Sequence, residues 1–292
     1  MEVQSTNVNV ELRPILRSCG IKFHLRRKTN VQINMIFRMC GLIFKQIHKL
    51  FSKIFTLRIK KIIDNTPICV VKNHIWTDHF CKKFRGNEPY TNVKMKELLP
   101  ELEDGSFIID VGAHVGDTGL YLAYHLQTLY LNKHIDVIMI EPDVTKVDFI
   151  IKMIQLNHLN NCKVLNCGVS DVPGSGSLEK NEEFPGATLV KESDGHEILI
   201  EEIDHLTDGL NISMMHIDVE GMEHKCLVGS TNTLKNVKYI IIELNDICDR
   251  DAERAFLKKQ GYVRIPNQQM YNEYNNELYV RETKHIIDKK NQ

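Results

Sequence analysis

The sequence contains eight cysteines but no pair in a Cys-x-x-Cys arrangement. Their irregular spacing argues against both a zinc site and a disulfide framework, and it favours a reducing compartment. No run of about eighteen or more uncharged apolar residues is present, so we expect no transmembrane helix. The first thirty residues lack the apolar core of a signal peptide. Together these absences predict a cytoplasmic location.

The chain as a whole has no excess of positive or negative charge, and one region lacks acidic residues altogether. The formal net charge is -1, which gives no global attraction to nucleic acid. Asp and Glu are absent from Leu12 to Ile63, where Arg and Lys recur. Residues 35–63 place apolar side chains on one helical face and basic ones largely outside it, which predicts a basic amphipathic helix. This helix could pack on the rest of the chain, lie on an anionic membrane surface or belong to a targeting segment.

The most informative stretch is a strand, a glycine turn and a helix. Phe107–Val111 is an apolar run rich in β-branched residues, which predicts a buried strand. Gly112 and Gly116 follow, and an amphipathic helix comes next. A glycine lets the backbone approach a ligand, and the free N–H groups at the helix start face it. This unit therefore predicts a site for a nucleotide-like cofactor.

Strand-like and helix-like patterns alternate after this unit. Further strands are predicted at 137–140, 162–166, 214–219 and 237–242, and residues 67–72 precede the unit as a short strand. The alternation predicts an α/β fold with a mostly parallel sheet covered by helices on both faces. Strands at 263–265 and 278–280 would close the sheet as an antiparallel hairpin, whereas a dinucleotide-binding Rossmann fold would continue with further βα units.

The predicted domain boundaries follow from these patterns. We expect an extension at 1–64, one α/β domain at 65–283 and a charged tail at 284–292. Inside the domain, residues 172–194 carry several Gly and Pro residues without helical periodicity, which predicts an inserted hairpin or lid loop. Residues 198–203 are expected to form an edge strand.

Acidic residues occur where four of the predicted strands end. They are Asp110, Glu141, Asp218 and Glu243. The carboxyl ends of parallel strands meet at one edge of a sheet, so these carboxylates are expected to converge around a crevice. Glu141 lies twenty-five residues after Gly116, and an acid at the end of the second strand accepts hydrogen bonds from ribose hydroxyls in related folds.

These motifs together resemble the FkbM family of methyltransferases. The matching pieces are residues 110–118, 140–142, 169–171, 217–223 and 242–243, in the same order and with similar spacing. The most specific piece is Asp218-Val219-Glu220-Gly221-Met222-Glu223. The resemblance spans residues 67–282. It departs at His216, where lysine is common in the family, and it finds no counterpart for the first sixty residues.

The resemblance implies a Rossmann-like class I methyltransferase sheet that binds S-adenosylmethionine and methylates a hydroxyl oxygen, often on a sugar or a secondary metabolite. Under it, Asp110, Gly112, His114 and Gly116 would hold the methionine side of the cofactor, Glu141 the ribose and Asp171 the adenine. Asp218, Glu220 and Glu243 would lie at the methyl group. An ordinary carboxylate is a weak base for an alcohol, so Asp218 would orient the acceptor unless it is buried.

Alternatives remain open at this point. Glu220 and Glu223 could simply be acids favoured at a helix N-terminus. For His216, its place inside a predicted strand favours a core histidine over a catalytic one. Asp218, Glu243 and a nearby histidine could hold a divalent cation, but the spacing does not require one and no metal is predicted. The other functions considered are a dinucleotide oxidoreductase and a non-catalytic protein that binds a membrane surface or a partner. A nucleic-acid acceptor is disfavoured because no aromatic-plus-basic stretch occurs in the insertion.

Overall fold

The computed structural model describes residues 57–62, 66–71, 74–82, 89–180, 188–192, 198–245, 249–266 and 275–282. All of them belong to the unit Thr56–Gln292. Most of the basic helix predicted at 35–63 lies outside these residues, as does the charged tail. The last part of that prediction is wrong: Leu57–Ile62 forms a strand, β1, that pairs antiparallel with β2, Thr66–Val71. These residues form a strand because they pair with β2, and hydrogen bonds between strands outweigh a local helical pattern.

A seven-stranded sheet forms the centre of the described chain. Its strands are β3 (Phe107–Val111), β4 (Asp136–Ile140), β5 (Cys162–Leu165), β10 (Ile212–Ile217), β11 (Tyr239–Glu243), β12 (Tyr262–Ile265) and β13 (Asn276–Arg281). The spatial order is β12-β13-β11-β10-β3-β4-β5. The five strands from β11 to β5 are parallel, and β13 runs antiparallel to both of its neighbours. The sheet confirms the predicted Rossmann-like methyltransferase fold, including its closing hairpin.

Helices precede the sheet and connect its strands. They are α1 (Thr77–Lys82), α2 (Pro89–Leu98), a 3-10 turn (Leu99–Glu101), α3 (Asp117–Leu129), α4 (Val144–Leu156), α5 (Ile203–Leu206), α6 (Glu223–Val228), a second 3-10 turn (Thr233–Lys235) and α7 (Arg250–Lys259). Asp143 caps α4 by accepting a hydrogen bond from the Thr145 N–H. None of the described helices combines the length and the apolar character needed to span a membrane.

The apolar runs form strands because both faces of the sheet are covered. Ile108 and Met139 face one buried cluster together with side chains of α2, α3 and α4, such as Phe149. Ile109 and Ile217 face the other cluster, with side chains of α6 and α7. A parallel sheet buried on two sides needs apolar residues at nearly every position, and β3 has that pattern. The sequence therefore placed β3 at the correct residues.

A smaller four-stranded sheet is inserted after β5. It consists of β6 (Gly168–Val169), β7 (Gly174–Lys180), β8 (Thr188–Glu192) and β9 (Ile198–Glu201), in the order β6-β9-β7-β8. Strands β7 and β8 form an antiparallel hairpin, as the insertion at 172–194 predicted. The prediction of an edge strand at 198–203 is wrong, because β9 lies between β6 and β7. Its two partners come from distant parts of the insertion, which local sequence does not reveal.

The order of the strands creates a crevice. The chain runs from β3 outwards through β4 to β5 and later returns to the other side of β3 as β10. The connections that leave β3 and β10 therefore diverge to opposite sides of the sheet at its carboxyl edge. In open α/β sheets such a switch point is where ligands bind. Asp110 and Glu243 lie near the carboxyl ends of β3 and β11, Asp171 follows β6, and the other predicted site residues lie on the loops after β3, β4 and β10.

Candidate active site

The turn after β3 brings two loops into contact. Gly112 has a φ of 80°, a conformation that side chains disfavour, and an added Cβ there would collide with the Asp218 carbonyl oxygen. The N–H groups of Gly112 and Ala113 both donate to the Ile140 carbonyl, at 3.0 and 2.9 Å. Gly116, also left-handed, begins α3 as its N-cap. Gly112 therefore permits close packing against the backbone of Asp218, and the approach of a ligand to this turn stays a prediction.

Glu141 lies buried beside this turn. One carboxylate oxygen accepts the His114 N–H at 2.8 Å, and the other accepts the Asp143 N–H at 2.9 Å. The Lys146 ammonium lies 3.7 Å from the second oxygen. Burial raises the pKa of Glu141 to about 7, although Lys146 and the two N–H groups act in the opposite direction. His114 adopts a left-handed φ of 52°, which points its N–H at Glu141.

Asp110 joins three elements inside the core. Its Oδ2 accepts the Gly119 N–H of α3 at 2.8 Å, and its Oδ1 lies 2.8 Å from Nδ1 of His216 in β10. Asp110 and His216 are 1% and 3% exposed. The interpretation of His216 as a core histidine is therefore confirmed. Both oxygens of Asp110 contact protein groups and so fix α3 and β10 against β3, and its contact with the methionine side of the cofactor stays a prediction.

The loop after β10 carries the most specific motif. The Asp218 N–H donates to the Val111 carbonyl at 3.0 Å, which continues the ladder between β10 and β3 for one more residue. Glu220 and Gly221 both have positive φ values, 51° and 98°. Glu223, the first residue of α6, is buried and accepts the Gly221 N–H at 2.9 Å. It therefore shapes the loop that presents Asp218 and Glu220.

Two other predicted site residues, Glu243 and Asp171, lie on elements other than the turn after β3 and the loop after β10. Glu243 is the last residue of β11, half-buried, and pairs in register with Asn276 of β13. Asp171 follows β6 and accepts a hydrogen bond from the Ser170 hydroxyl at 3.0 Å. Glu243 thus marks the β11 side of the crevice, and Asp171 marks the side of the inserted sheet. Their roles toward a ligand stay predictions.

The structure adds an aromatic cluster that the sequence reasoning missed. Trp76, just before α1, has its ring centroid 5.9 Å from that of His114, and the His79 and His114 centroids are 4.7 Å apart. The Lys146 ammonium lies 5.4 Å from the Trp76 ring. Trp76 is the only tryptophan of the chain, which was the one signal available in the sequence. Its distance of more than thirty residues from the glycine turn hid the relationship.

A second contact also joins α2 to the start of α3. The Thr118 hydroxyl donates to Oδ1 of Asn92 at 2.9 Å, and both side chains are buried. Thr118 is the second residue of α3, next to the Gly116 cap, so this pair ties α2 to the glycine turn after β3. No group of three or more His, Cys, Asp or Glu suited to a metal ion occurs within the described ranges.

The comparison with protein families identifies the family of this chain. The model of the methyltransferase FkbM domain matches residues 110–264, more than half of the chain. The chain belongs to the FkbM methyltransferase family. The match begins at Asp110 and ends in β12, so the FkbM domain includes every predicted site residue. The aromatic cluster around Trp76 is attached to it from the preceding segment.

Solved methyltransferases are among the structures similar to this chain, at low sequence identity. One is the methyltransferase FkbM from Methylobacillus flagellatus KT, which is 16% identical. The match covers 70% of this chain and 57% of the length of that protein, with a TM-score of 0.40. An rRNA methylase from Streptococcus thermophilus is 12% identical, covers 68% and 98%, and gives a TM-score of 0.42. A SAM dependent methyltransferase from Aquifex aeolicus is 13% identical, covers 70% and 96%, and gives 0.37. The comparison with curated proteins found no match.

Proposed function

We propose that this FkbM domain binds S-adenosylmethionine and transfers its methyl group to a hydroxyl oxygen of a sugar, a glycan or a similar small molecule. The observation that carries the cofactor assignment is the Glu141 carboxylate at the end of β4. Each of its oxygens accepts one backbone N–H. A carboxylate can accept about four hydrogen bonds, so each oxygen keeps room for one more donor. The two hydroxyls of a ribose would supply two such donors.

The remaining predicted residues fit the rest of the cofactor. Gly112 and Gly116, both with positive φ, let the chain turn from β3 into α3, so that the N-terminus of this helix lies beside the turn. Asp110 holds the turn in place through Gly119 and His216. His114 would contact the methionine side and Asp171 the adenine. When bound, S-adenosylmethionine supplies a methyl group on a cationic sulfur, which nearby carboxylates stabilise.

The acceptor would meet the carboxylates of Asp218, Glu220 and Glu243. The reaction would break the bond between sulfur and methyl, whose electron pair stays on the sulfur, and form a bond between the acceptor oxygen and methyl, while the hydroxyl proton would pass to a carboxylate such as Asp218 or to solvent. The main task of the protein is to align the oxygen, methyl and sulfur in one line. A carboxylate that accepts the hydroxyl hydrogen fixes this alignment, and Asp218 is the first candidate because its backbone touches Gly112.

The charges around the crevice support a hydroxylic acceptor over a nucleic acid. Asp218 and Glu220 follow the end of β10 and Glu243 ends β11, and carboxylates accept hydrogen bonds from hydroxyls. They repel the phosphates of a nucleic acid, whose binding depends on basic side chains. The acidic motif after β10 therefore favours a polyhydroxylated molecule.

Titration calorimetry tests the cofactor assignment. Wild-type protein is titrated with S-adenosylmethionine, S-adenosylhomocysteine and a nicotinamide dinucleotide. We expect one-site binding of the first two, and a loss of about 1–3 kcal/mol of binding free energy in Glu141→Gln. Glu97→Ala, on an exposed face of α2, is the matched control. Binding of the dinucleotide alone would favour an oxidoreductase, and binding of neither would overturn the proposal.

Transfer of a labelled methyl group tests the acceptor class. We would incubate the protein with S-adenosylmethionine labelled at its methyl group and a panel of glycosides, oligosaccharides, small phenols, amines and RNA. The proposal predicts label on an oxygen of a hydroxylic compound, identified by mass spectrometry. Label on a nitrogen, or on RNA alone, would overturn the acceptor assignment while leaving the cofactor assignment intact.

A further inference from the structure

Lys146 is a buried ammonium placed against the proposed ribose site. It lies in the first turn of α4 and its side chain is 2% exposed. Its Nζ is 3.7 Å from Oε1 of Glu141. A buried lysine is costly unless an opposite charge compensates it, and the Glu141 carboxylate is 4% exposed. The two residues therefore form a buried ion pair at the carboxylate assigned to the ribose.

Trp76 covers this ion pair. The Lys146 ammonium lies 5.4 Å from the centre of the indole ring. The indole N–H donates to the Thr145 hydroxyl at 3.0 Å, and that hydroxyl donates to the capping Asp143 at 2.7 Å. These hydrogen bonds fix the indole on the start of α4. Trp76 belongs to the segment before the FkbM domain, so this segment completes the cofactor side of the site.

The charged and titratable groups around Glu141 come from three directions. Lys146 is contributed by α4, and the Asp143 N–H and carboxylate come from the loop before it. The glycine turn contributes the His114 N–H, and the His114 ring contacts His79 of α1. Burial raises the pKa of Glu141 to about 7, and among the opposing groups Lys146 has the largest effect. Near neutral pH, the ionised form of Glu141 therefore depends on Lys146.

We propose that Lys146, covered by Trp76, is a positioning residue that holds Glu141 as the carboxylate able to receive both ribose hydroxyls of the nucleoside cofactor. The proposal rests on the cofactor assigned under Proposed function. Protonated Glu141 would carry a hydroxyl in place of one acceptor oxygen, which leaves fewer lone pairs for the two N–H groups and the two ribose hydroxyls. Loss of the Lys146 charge would therefore weaken nucleoside binding in a pH-dependent way.

Calorimetric titration with S-adenosylhomocysteine from pH 6 to pH 9 tests this proposal. The affinity of the wild type should be constant at high pH and should fall below a midpoint set by Glu141. In Lys146→Met the midpoint should rise by about 1–3 pH units, since a nearby opposite charge shifts a carboxyl by that amount. Lys146→Arg should restore the wild-type profile. Lys152→Met, a half-exposed lysine of the same helix, should leave it unchanged.

The outcomes separate this proposal from the assignment on which it rests. A folded Lys146→Met protein with the wild-type midpoint would overturn the role of Lys146, while the cofactor assignment would stand. If the wild type bound no S-adenosylhomocysteine at any pH, both would fall. A merely structural lysine would lower affinity equally at all pH values, which would also contradict the proposal.

Tryptophan emission provides a second test that needs no variant to fold. Trp76 is the only tryptophan of the chain, so its emission reports on this position alone. Saturation of the wild type with S-adenosylhomocysteine should change the emission, with the same half-saturation as the calorimetric titration. Unchanged emission at calorimetric saturation would show that the indole does not adjoin the bound nucleoside, and would overturn the covering role of Trp76.

Discussion

Asp110 and His216 lie 106 positions apart in the chain, and their side chains meet at 2.8 Å in the buried core. They are paired in register on the neighbouring strands β3 and β10, on either side of the switch point. The second oxygen of Asp110 accepts the Gly119 N–H of α3. One carboxylate therefore holds together the strand, the helix and the neighbouring strand from which the cofactor turn is built.

Removal of this carboxylate should destabilise the fold. Asp110→Ala leaves the Gly119 N–H and the His216 ring without their acceptor in a site that excludes water. Breaking a buried pair on one side costs about 3–5 kcal/mol. Urea unfolding followed by circular dichroism measures the loss of unfolding free energy. Asp251→Ala, at a side chain 96% exposed, should change it by less than about 0.5 kcal/mol. Equal stabilities of the two variants would contradict the bridging role.

Gly112 should tolerate no side chain. Gly112→Ala combines a φ of 80° with a collision between Cβ and the Asp218 carbonyl oxygen. We expect the variant to fold poorly or to lose cofactor binding, because the loops after β3 and β10 must separate. Gly209→Ala has a similar φ of 72° but open space around its Cβ, so it should cost only about 1–2 kcal/mol. Thermal unfolding of both variants compares the two effects, and equal costs would mean that the collision is relieved without consequence.

Asp218→Asn should separate catalysis from cofactor binding. The amide keeps the size of the carboxylate but presents one acceptor oxygen instead of two, so the acceptor hydroxyl would be held less well. We expect S-adenosylhomocysteine affinity within twofold of wild type and a loss of methyl transfer of about 100-fold or more. Asp208→Asn, at an exposed position before β10, is the control. Normal turnover in Asp218→Asn would remove Asp218 from the reaction.

Glu141 should make the stability of the protein fall as pH rises. Its pKa is raised from 4.5 to about 7 in the folded protein, so the folded state binds more protons than the unfolded state between these values. Unfolding free energy therefore decreases with pH across this range, by at most about 3 kcal/mol from this group. Urea unfolding at pH 5, 6, 7 and 8 should show this decrease in the wild type and a smaller one in Glu141→Gln. Parallel curves for the two proteins would contradict the shift.

Membrane contact through residues 35–63 stays a prediction, and sedimentation with anionic liposomes tests it. Each basic side chain near an anionic surface contributes about 1 kcal/mol at low salt. Replacement of Lys45, Lys49 and Lys53 by Gln should therefore release the protein. The matched control replaces Lys152, Lys258 and Lys259, which are exposed on α4 and α7. The absence of wild-type binding at low salt would rule out the membrane surface as the partner of this region.

The sequence alone predicted the elements whose signal is local. A strand buried on both faces needs a continuous apolar run, and for this reason β3, β4 and β11 were found within two residues of their bounds. Glycines with positive φ and a capping aspartate also act within a few residues, so the cofactor turn and the start of α4 were predictable. The order of these motifs was sufficient to indicate the family.

Only the tertiary structure decided the relationships that depend on distant pairing. Residues 57–62 have a basic, helix-like pattern but form β1 because β2 supplies their hydrogen bonds, and β9 became an inner strand because β6 and β7 enclose it. His216 meets Asp110, and Trp76 covers Lys146, only after the sheet has formed. Local sequence specifies backbone preference and the faces to be buried. Which buried charges meet, and which pKa values shift as a result, depends on burial and packing that no local pattern contains.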